Sequence, residues 1–254
     1  MSEAADLIVR ELDLCGEAGI LARFWLRDDD AITPTPELDA LIAHVEAFRI
    51  PMLLAVIPAH ANAGLAARIA PHALIDPAQH GWSHANHSQQ GQKPCEFGAT
   101  RPVHEAIADI AAGKARMGEL FGAATSPVFV PPWNRIAADV ARALPGLGFT
   151  GLSTFGPAQF GDVAGLAEVN THVDIIDWKG GRKGRPFIDL AREVAASLSS
   201  ERLAAERNGG RAIGILTHHL VHDSAANAFL HRFCRLVGDH PAAIWVDVGT
   251  PAAS

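Results

Sequence analysis

Apolar runs of strand length recur along the chain, separated by longer segments in which apolar residues return with helical spacing. The first kind comprises ILARFWL (20–26), MLLAVI (52–57), PVFV (127–130), GFTGLST (148–154), VDII (173–176), AIGIL (212–216) and AAIWVDV (242–248). Among the second, TPELDALIAHVEAFR (35–49) opens on Thr-Pro, a helix start. VHEAIADIAAGKARMGELF (103–121) puts Val103, Ile107, Ile110, Met117 and Phe121 on one face. FIDLAREVAASLSSERLAAER (187–207) runs into the helix-stopping pair Gly209 and Gly210, and SAANAFLHRFCRLVG (224–238) carries its own terminal glycine. Strands alternating with helices predict βα units around a parallel sheet or barrel. A length of 254 residues, without repeats or a linker-like tract, predicts a single domain over residues 1–254.

The unusual polar clusters follow this pattern. RDDD (27–30) follows the first strand, VPPWNR (130–135) a middle one, DW (177–178) another and THH (217–219) a late one. Each is expected just past the C-terminal end of its strand, and in a parallel barrel those ends share one face, where such folds assemble their sites.

A net charge of −7 with only 21 lysines and arginines argues against nucleic acid or an anionic membrane as partner. KGGRKGR (179–185) is the exception. Lys179, Arg182, Lys183 and Arg185 form either a solvated loop or a rim that meets an anionic part of a substrate. The amphipathic, acidic start MSEAADLIVRELDL lacks the pattern of a signal peptide, and no apolar run approaches the ~20 residues of a membrane span. A cytoplasmic location is expected. Cys15, Cys95 and Cys234 are scattered, which suits a reducing compartment and offers no thiolate metal site.

Three adjacent carboxylates, Asp28, Asp29 and Asp30, repel one another unless solvent or a cation separates them. QHGWSHANHS (79–88) supplies His80, His84 and His87, and the i, i+4 pair can turn two imidazoles toward one point on a helical turn. Two neutral imidazoles and a carboxylate make a three-ligand site with open positions, as in hydrolytic zinc and non-haem iron centres. Trp133 after two prolines, Asp174, Asp177 and Trp178 in HVDIIDW, and His218 and His219 at the end of an apolar strand complete the candidates.

Taken in order, RDDDA, HGWSH, VPPWN, DIIDW and ILTHH resemble the motifs of the polysaccharide deacetylases, or NodB-homology domains, over residues 24–220. The resemblance implies an α/β fold, a distorted (β/α) barrel of about seven units. It implies hydrolysis of a non-peptide C–N amide bond in an N-acetylated or N-acylated carbohydrate or small metabolite, with a divalent metal, Zn²⁺ foremost. By position, Asp30, His80 and His84 become metal ligands, Asp29 the base and His218 the general acid, with Trp133, Trp178 and Leu216 lining the substrate groove. Val130 stands where the family has an arginine, leaving Arg27, Arg101 or Arg135 to supply that charge. Three alternatives stay open: a register with Asp28 as base and Asp29 as ligand, His219 in place of His218, and a catalytically silent metal-containing barrel that binds a glycan or metabolite. An iron-dependent oxygenase would use the same ligand triad but leaves the Asp pair and the acid histidine unexplained.

Overall fold

The computed structural model describes residues 3–208 and 210–249, with backbone alone at 206–208. In chain order the elements are α1 (Glu3–Glu17), β1 (Ala22–Ala31), α2 (Pro36–Phe48), β2 (Met52–Val56), α3 (Ala63–Ile69), β3 (Ile75–His80), α4 (Val103–Phe121), β4 (Val128–Val130) and α5 (Ala138–Ala143). They continue with β5 (Gly151–Leu152), β6 (Ala167–Glu168), β7 (Thr171–Asp174), β8 (Ile176–Asp177), β9 (Lys183–Gly184), α6 (Phe187–Asn208), β10 (Ile213–Thr217), α7 (Ser224–Asp239) and β11 (Ala243–Trp245). The helix stop expected at Gly209 lies outside the described residues.

These elements group into two compact units, each threaded from three stretches of chain. One is drawn from Met1–Arg27, Pro36–Pro51 and Thr171–Asp247. In it β11 lies parallel to the first half of β1, with Phe24 opposite Trp245, and β10 lies parallel to β7, with Leu216 opposite Asp174. Its core is partly aromatic: the Phe24 ring meets Phe233 edge-on at 5.2 Å, and Phe233 stacks on Phe229 at 5.4 Å. The amphipathic start of the chain is α1, which buries Ile8, Leu12 and Cys15.

The other unit is drawn from Asp28–Thr35, Met52–Asn170 and Val248–Ser254. Here β2, β3, β4, β5 and β6 pair in that order, all parallel. On the other side of β2 lies the end of β1, where the Ala31 carbonyl accepts from Ile57 N–H (3.0 Å). Phe97, Ile110, Phe129, Phe149 and Leu152 form the core.

Three expectations change on contact with the structure. β1 does not stop before the aspartates but carries Asp28, Asp29 and Asp30 inside its last turns of pleat. GFTGLST yields only the two-residue β5, and VDII divides at Ile175 between β7 and β8. Helix α4 has the expected limits, yet its buried stripe is Ala106, Ile110, Gly113 and Met117, while Val103 is 37% exposed. The rotation has a steric cause: a Cβ at Gly113 would sit 2.2 Å from Gln79 Nε2, so the helix presents its smallest residue to β3.

Cys15, Cys95 and Cys234 are free and buried. Among the described residues no helix is long and apolar enough to cross a membrane.

Candidate functional site

Asp30 ends the aspartate run in a conformation no ordinary strand residue adopts, with φ 74°. Aspartate tolerates the left-handed region better than most residues, because its short polar side chain hydrogen-bonds locally. The bend separates it from its neighbours: Asp28 and Asp29 are buried at 0% and 2%, whereas the Asp30 side chain keeps 30% exposure. Of the three aspartates, Asp30 alone joins His80 and His84 in a group whose ligand atoms all lie within 4.8 Å of one another.

His80 is the last residue of β3 and His84 lies four residues on, but no helical turn connects them. The chain takes an irregular path, with positive φ at Gly81 (61°) and again at His84 (57°). A buried carboxylate, Glu96, shapes this path. It accepts from Trp82 N–H (3.2 Å), Ser83 N–H (2.8 Å) and the Ser83 hydroxyl (3.2 Å). Gly81 is required there on two counts, its left-handed φ and a Cβ that would fall 2.1 Å from Glu96 Oε2 and 2.6 Å from Pro132 Cδ. The carboxamide of Gln79 donates to the carbonyls of Gly81 (2.9 Å) and Ile110 (3.0 Å), fixing the start of the loop from below.

His80 Nδ1 lies 3.1 Å from the Val130 carbonyl, which only accepts, so Nδ1 carries a proton and Nε2 is the nitrogen that could ligate. That Nε2 faces Asp30 Oδ1 at 3.2 Å, and His84 Nε2 faces the same oxygen at 3.4 Å. Burial first, and then the neighbouring His80, hold His84 below the ordinary imidazole value, against the opposing pull of Asp30 and Glu96. The neutral form so favoured is the one that ligates. Around a tetrahedral ion with ligand bonds of 2.0–2.1 Å, neighbouring ligand atoms stand about 3.3 Å apart, so the observed spacings suit such an ion.

Trp133 packs on this group, its ring centroid 4.2 Å from that of His84. It sits in a short 3₁₀ turn after Pro131 with φ 56°, and Asn134 follows at 59°. Asp30, His84, Trp133 and Asn134 thus concentrate left-handed backbone around one place, as functional sites do. His87, by contrast, is exposed, and its backbone N–H donates to the Cys95 carbonyl (3.0 Å). Val130 is fully buried and contributes its carbonyl. Of the arginines named for the missing charge, Arg101 pairs with Asp109 (2.6 Å), Arg135 donates to the Pro94 carbonyl (2.8 Å) and Arg27 is fully buried.

In the other unit His218 follows β10 on extended backbone (φ −143°), with the Trp178 indole edge-on at 4.6 Å. Trp178 is 40% exposed and donates from Nε1 to Asp174 Oδ2 (2.8 Å). His219 and Leu216 are both 1% exposed.

Sequence reasoning missed Glu96 and Gln79. Neither stands in a motif; the only signal was a lone acid in CEFG and a polar residue before HGWSH.

No protein-family model matches the sequence, and no curated protein matches it. Solved structures do. A protein assigned as a polysaccharide deacetylase from Mycobacterium smegmatis superposes with TM-score 0.62 at 18% identity, covering 90% of this chain and 88% of that one. A family 4 carbohydrate esterase from Streptomyces lividans, solved with acetate, gives 0.55 at 16% identity, covering 85% and 88%. The family 4 domain of a multidomain xylanase from the hindgut metagenome of Trinervitermes trinervoides gives 0.55 at 9%, covering 90% and 88%. The chain therefore has the fold of the polysaccharide deacetylases, the NodB-like distorted (β/α) barrel that its motifs imply.

Proposed function

We propose that this protein is a metal-dependent amidohydrolase of deacetylase type, acting on an N-acetylated or N-acylated carbohydrate or small metabolite. The observation that carries the reading is the convergence of Asp30 Oδ1 with the Nε2 atoms of His80 and His84 at 3.2 and 3.4 Å. Those three residues would hold a divalent cation, with Zn²⁺ the best match to two imidazoles and one carboxylate. When bound, the cation lowers the pKa of a water and polarises the amide oxygen of the substrate.

The remaining steps fall to the chain itself. Asp29, adjacent to the ligand and 2% exposed, takes the proton of the attacking water. An amide nitrogen leaves only when protonated, and His218 supplies that proton, a role resting on the ILTHH motif. Trp133 restrains the His84 ring and offers a flat apolar face to a sugar, and Trp178 is assigned the same role by its motif position. Leu216 is assigned to the groove by its motif position.

The test is to purify the protein without chelators, measure its metal content, and follow acetate release from acetylated chitooligosaccharides with and without a chelator. Stoichiometric metal and chelator-sensitive release are expected. A metal-free protein whose melting a chelator leaves unchanged would sink the reading. Val130 in the arginine position favours a silent, ligand-binding barrel as the second reading, which predicts bound metal with every acylated substrate left intact.

A further inference from the structure

The stretch KGGRKGR is not a slack loop. Strands β8 and β9 pair antiparallel, Ile176 with Gly184 and Asp177 with Lys183, so it forms a hairpin. Asp177 Oδ1 accepts from Lys179 N–H (3.1 Å) and Gly180 N–H (2.7 Å), and Arg182 N–H returns to the Asp177 carbonyl (2.9 Å). Its base is seated on α7, where a Cβ at Gly184 would meet Ala226 N at 2.3 Å and Asp223 Oδ1 at 2.5 Å. Arg185 is committed structurally, through Glu193 and the Asp174 carbonyl (2.9 Å).

Lys179, Arg182 and Lys183 are different. All three are exposed, and among the described residues none is bridged to a carboxylate. A chain of net charge −7 has acids to spare, so three solvent-facing cations on one hairpin, against the single Asp177 carboxylate that its own backbone N–H groups engage, form a local reversal of sign. The reversal sits beside the proposed chemistry: the Arg182 guanidinium lies 5.5 Å from the centre of the Trp178 ring, whose edge contact is His218.

We propose that this hairpin is an anion-binding subsite, and that the substrate is an N-acyl sugar or metabolite that also bears a carboxylate or phosphate group. The inference rests on the deacetylase reading for the placement of His218. Arg182, held over Trp178, offers a planar fork suited to either anion, while Lys179 and Lys183 add mobile charge. Because the cations are solvated, their contribution is to affinity and capture rate, and it is screened by salt.

The experiment compares kcat/KM for N-acetylglucosamine, N-acetylmuramic acid and N-acetylglucosamine 6-phosphate, a neutral sugar and its carboxylate- and phosphate-bearing relatives. An anionic sugar is expected to lead the neutral one by about tenfold at low salt, and raising ionic strength to about 0.3 M should erode the lead. Which of the two leads identifies the anion. In the variant Lys179→Glu/Lys183→Glu the ratio of anionic to neutral kcat/KM should fall to one or below, with circular dichroism confirming a folded protein. Equal treatment of the three sugars by the wild type, or a preference that survives the double substitution, would overturn the inference. Should none be turned over, calorimetric binding of the same three sugars decides the subsite separately from the deacetylase reading. Anion-selective binding abolished by the double substitution supports it, and absence of selectivity overturns it.

Discussion

Asp30, His80 and His84 are held by backbone that departs from ordinary conformations at Asp30, Gly81 and His84 and rests on a buried carboxylate, whereas His218 follows its strand on plain extended backbone and its neighbour Trp178 is 40% exposed. The difference follows from the tasks assigned to them. Ligands drawn from β1 and from the end of β3 and its loop would have to place three atoms within tenths of an ångström, a task for which strained backbone held by packing and hydrogen bonds is suited. Residues that meet a substrate must stay accessible, and a strand end with a hairpin beside it is sufficient support.

The largest effects expected from this contrast are on activity, and they separate the two regions by metal content. Asp30→Asn or His80→Ala should lower metal affinity by at least about 100-fold and abolish turnover, measured by elemental analysis after dialysis. His218→Ala should retain its metal and lose on the order of 10²- to 10⁴-fold in kcat. Metal retained in Asp30→Asn but lost in Asp29→Asn would move the ligand register back by one residue. A normal rate in His218→Ala with loss in His219→Ala would shift the acid by one.

Effects on stability come next. Gly81→Ala pushes a methyl into Glu96 and Pro132 at a left-handed φ and should cost about 2–4 kcal/mol by chemical denaturation. Glu96→Gln turns one of its acceptors into a donor facing N–H groups, at about 1–3 kcal/mol, and should weaken metal binding although Glu96 is not proposed as a ligand. Trp178→Ala, on the exposed side of the comparison, should cost under about 1 kcal/mol while weakening substrate binding.

The smallest effect is with pH. Burial, aided by His231, holds His44 below its ordinary value of 6.5, and burial does the same for His172. The unfolded chain therefore binds more protons than the folded one just below pH 6.5, so this stability is complete above 6.5 and declines as pH falls beneath it. Melting temperature should drop between about pH 7.5 and about pH 5.5, and His44→Gln should flatten the drop. A melting temperature independent of pH in that interval would contradict the assignment.

Much of this was legible from sequence where periodicity and punctuation agree. Helices α2, α4, α6 and α7 fall where apolar spacing and Thr-Pro place them, although α7 runs past the glycine expected to end it, Gly238, to Asp239. Strand β3 was not legible: IDPAQH has a central proline and three polar residues, and it becomes a strand because β2 and β4 flank it, with Ser126 N–H donating to the Pro77 carbonyl (2.8 Å). The candidate ligands Asp30, His80 and His84 stand out as letters, but the i, i+4 spacing of the two histidines suggests a helical turn where the structure has an irregular loop. That loop depends on Glu96, twelve residues after His84, and no local pattern links the two. Three identical residues do not choose their own register; the motif resemblance favours Asp30 over Asp29, and the positive φ falls at Asp30.

Glu96 also decides what would have to travel with the site if it were moved. Its neighbour Phe97 bridges to Ile136, and Cys95 Sγ donates to the Arg135 carbonyl (3.4 Å), so the segment that shapes the histidine loop is stitched to the turn bearing Trp133. Grafting HGWSH into another barrel would transfer the imidazoles without their conformation. The smallest portable centre is three pieces, residues 28–31, 79–97 and 130–137, and a transplant lacking any one of them should arrive as sequence without function.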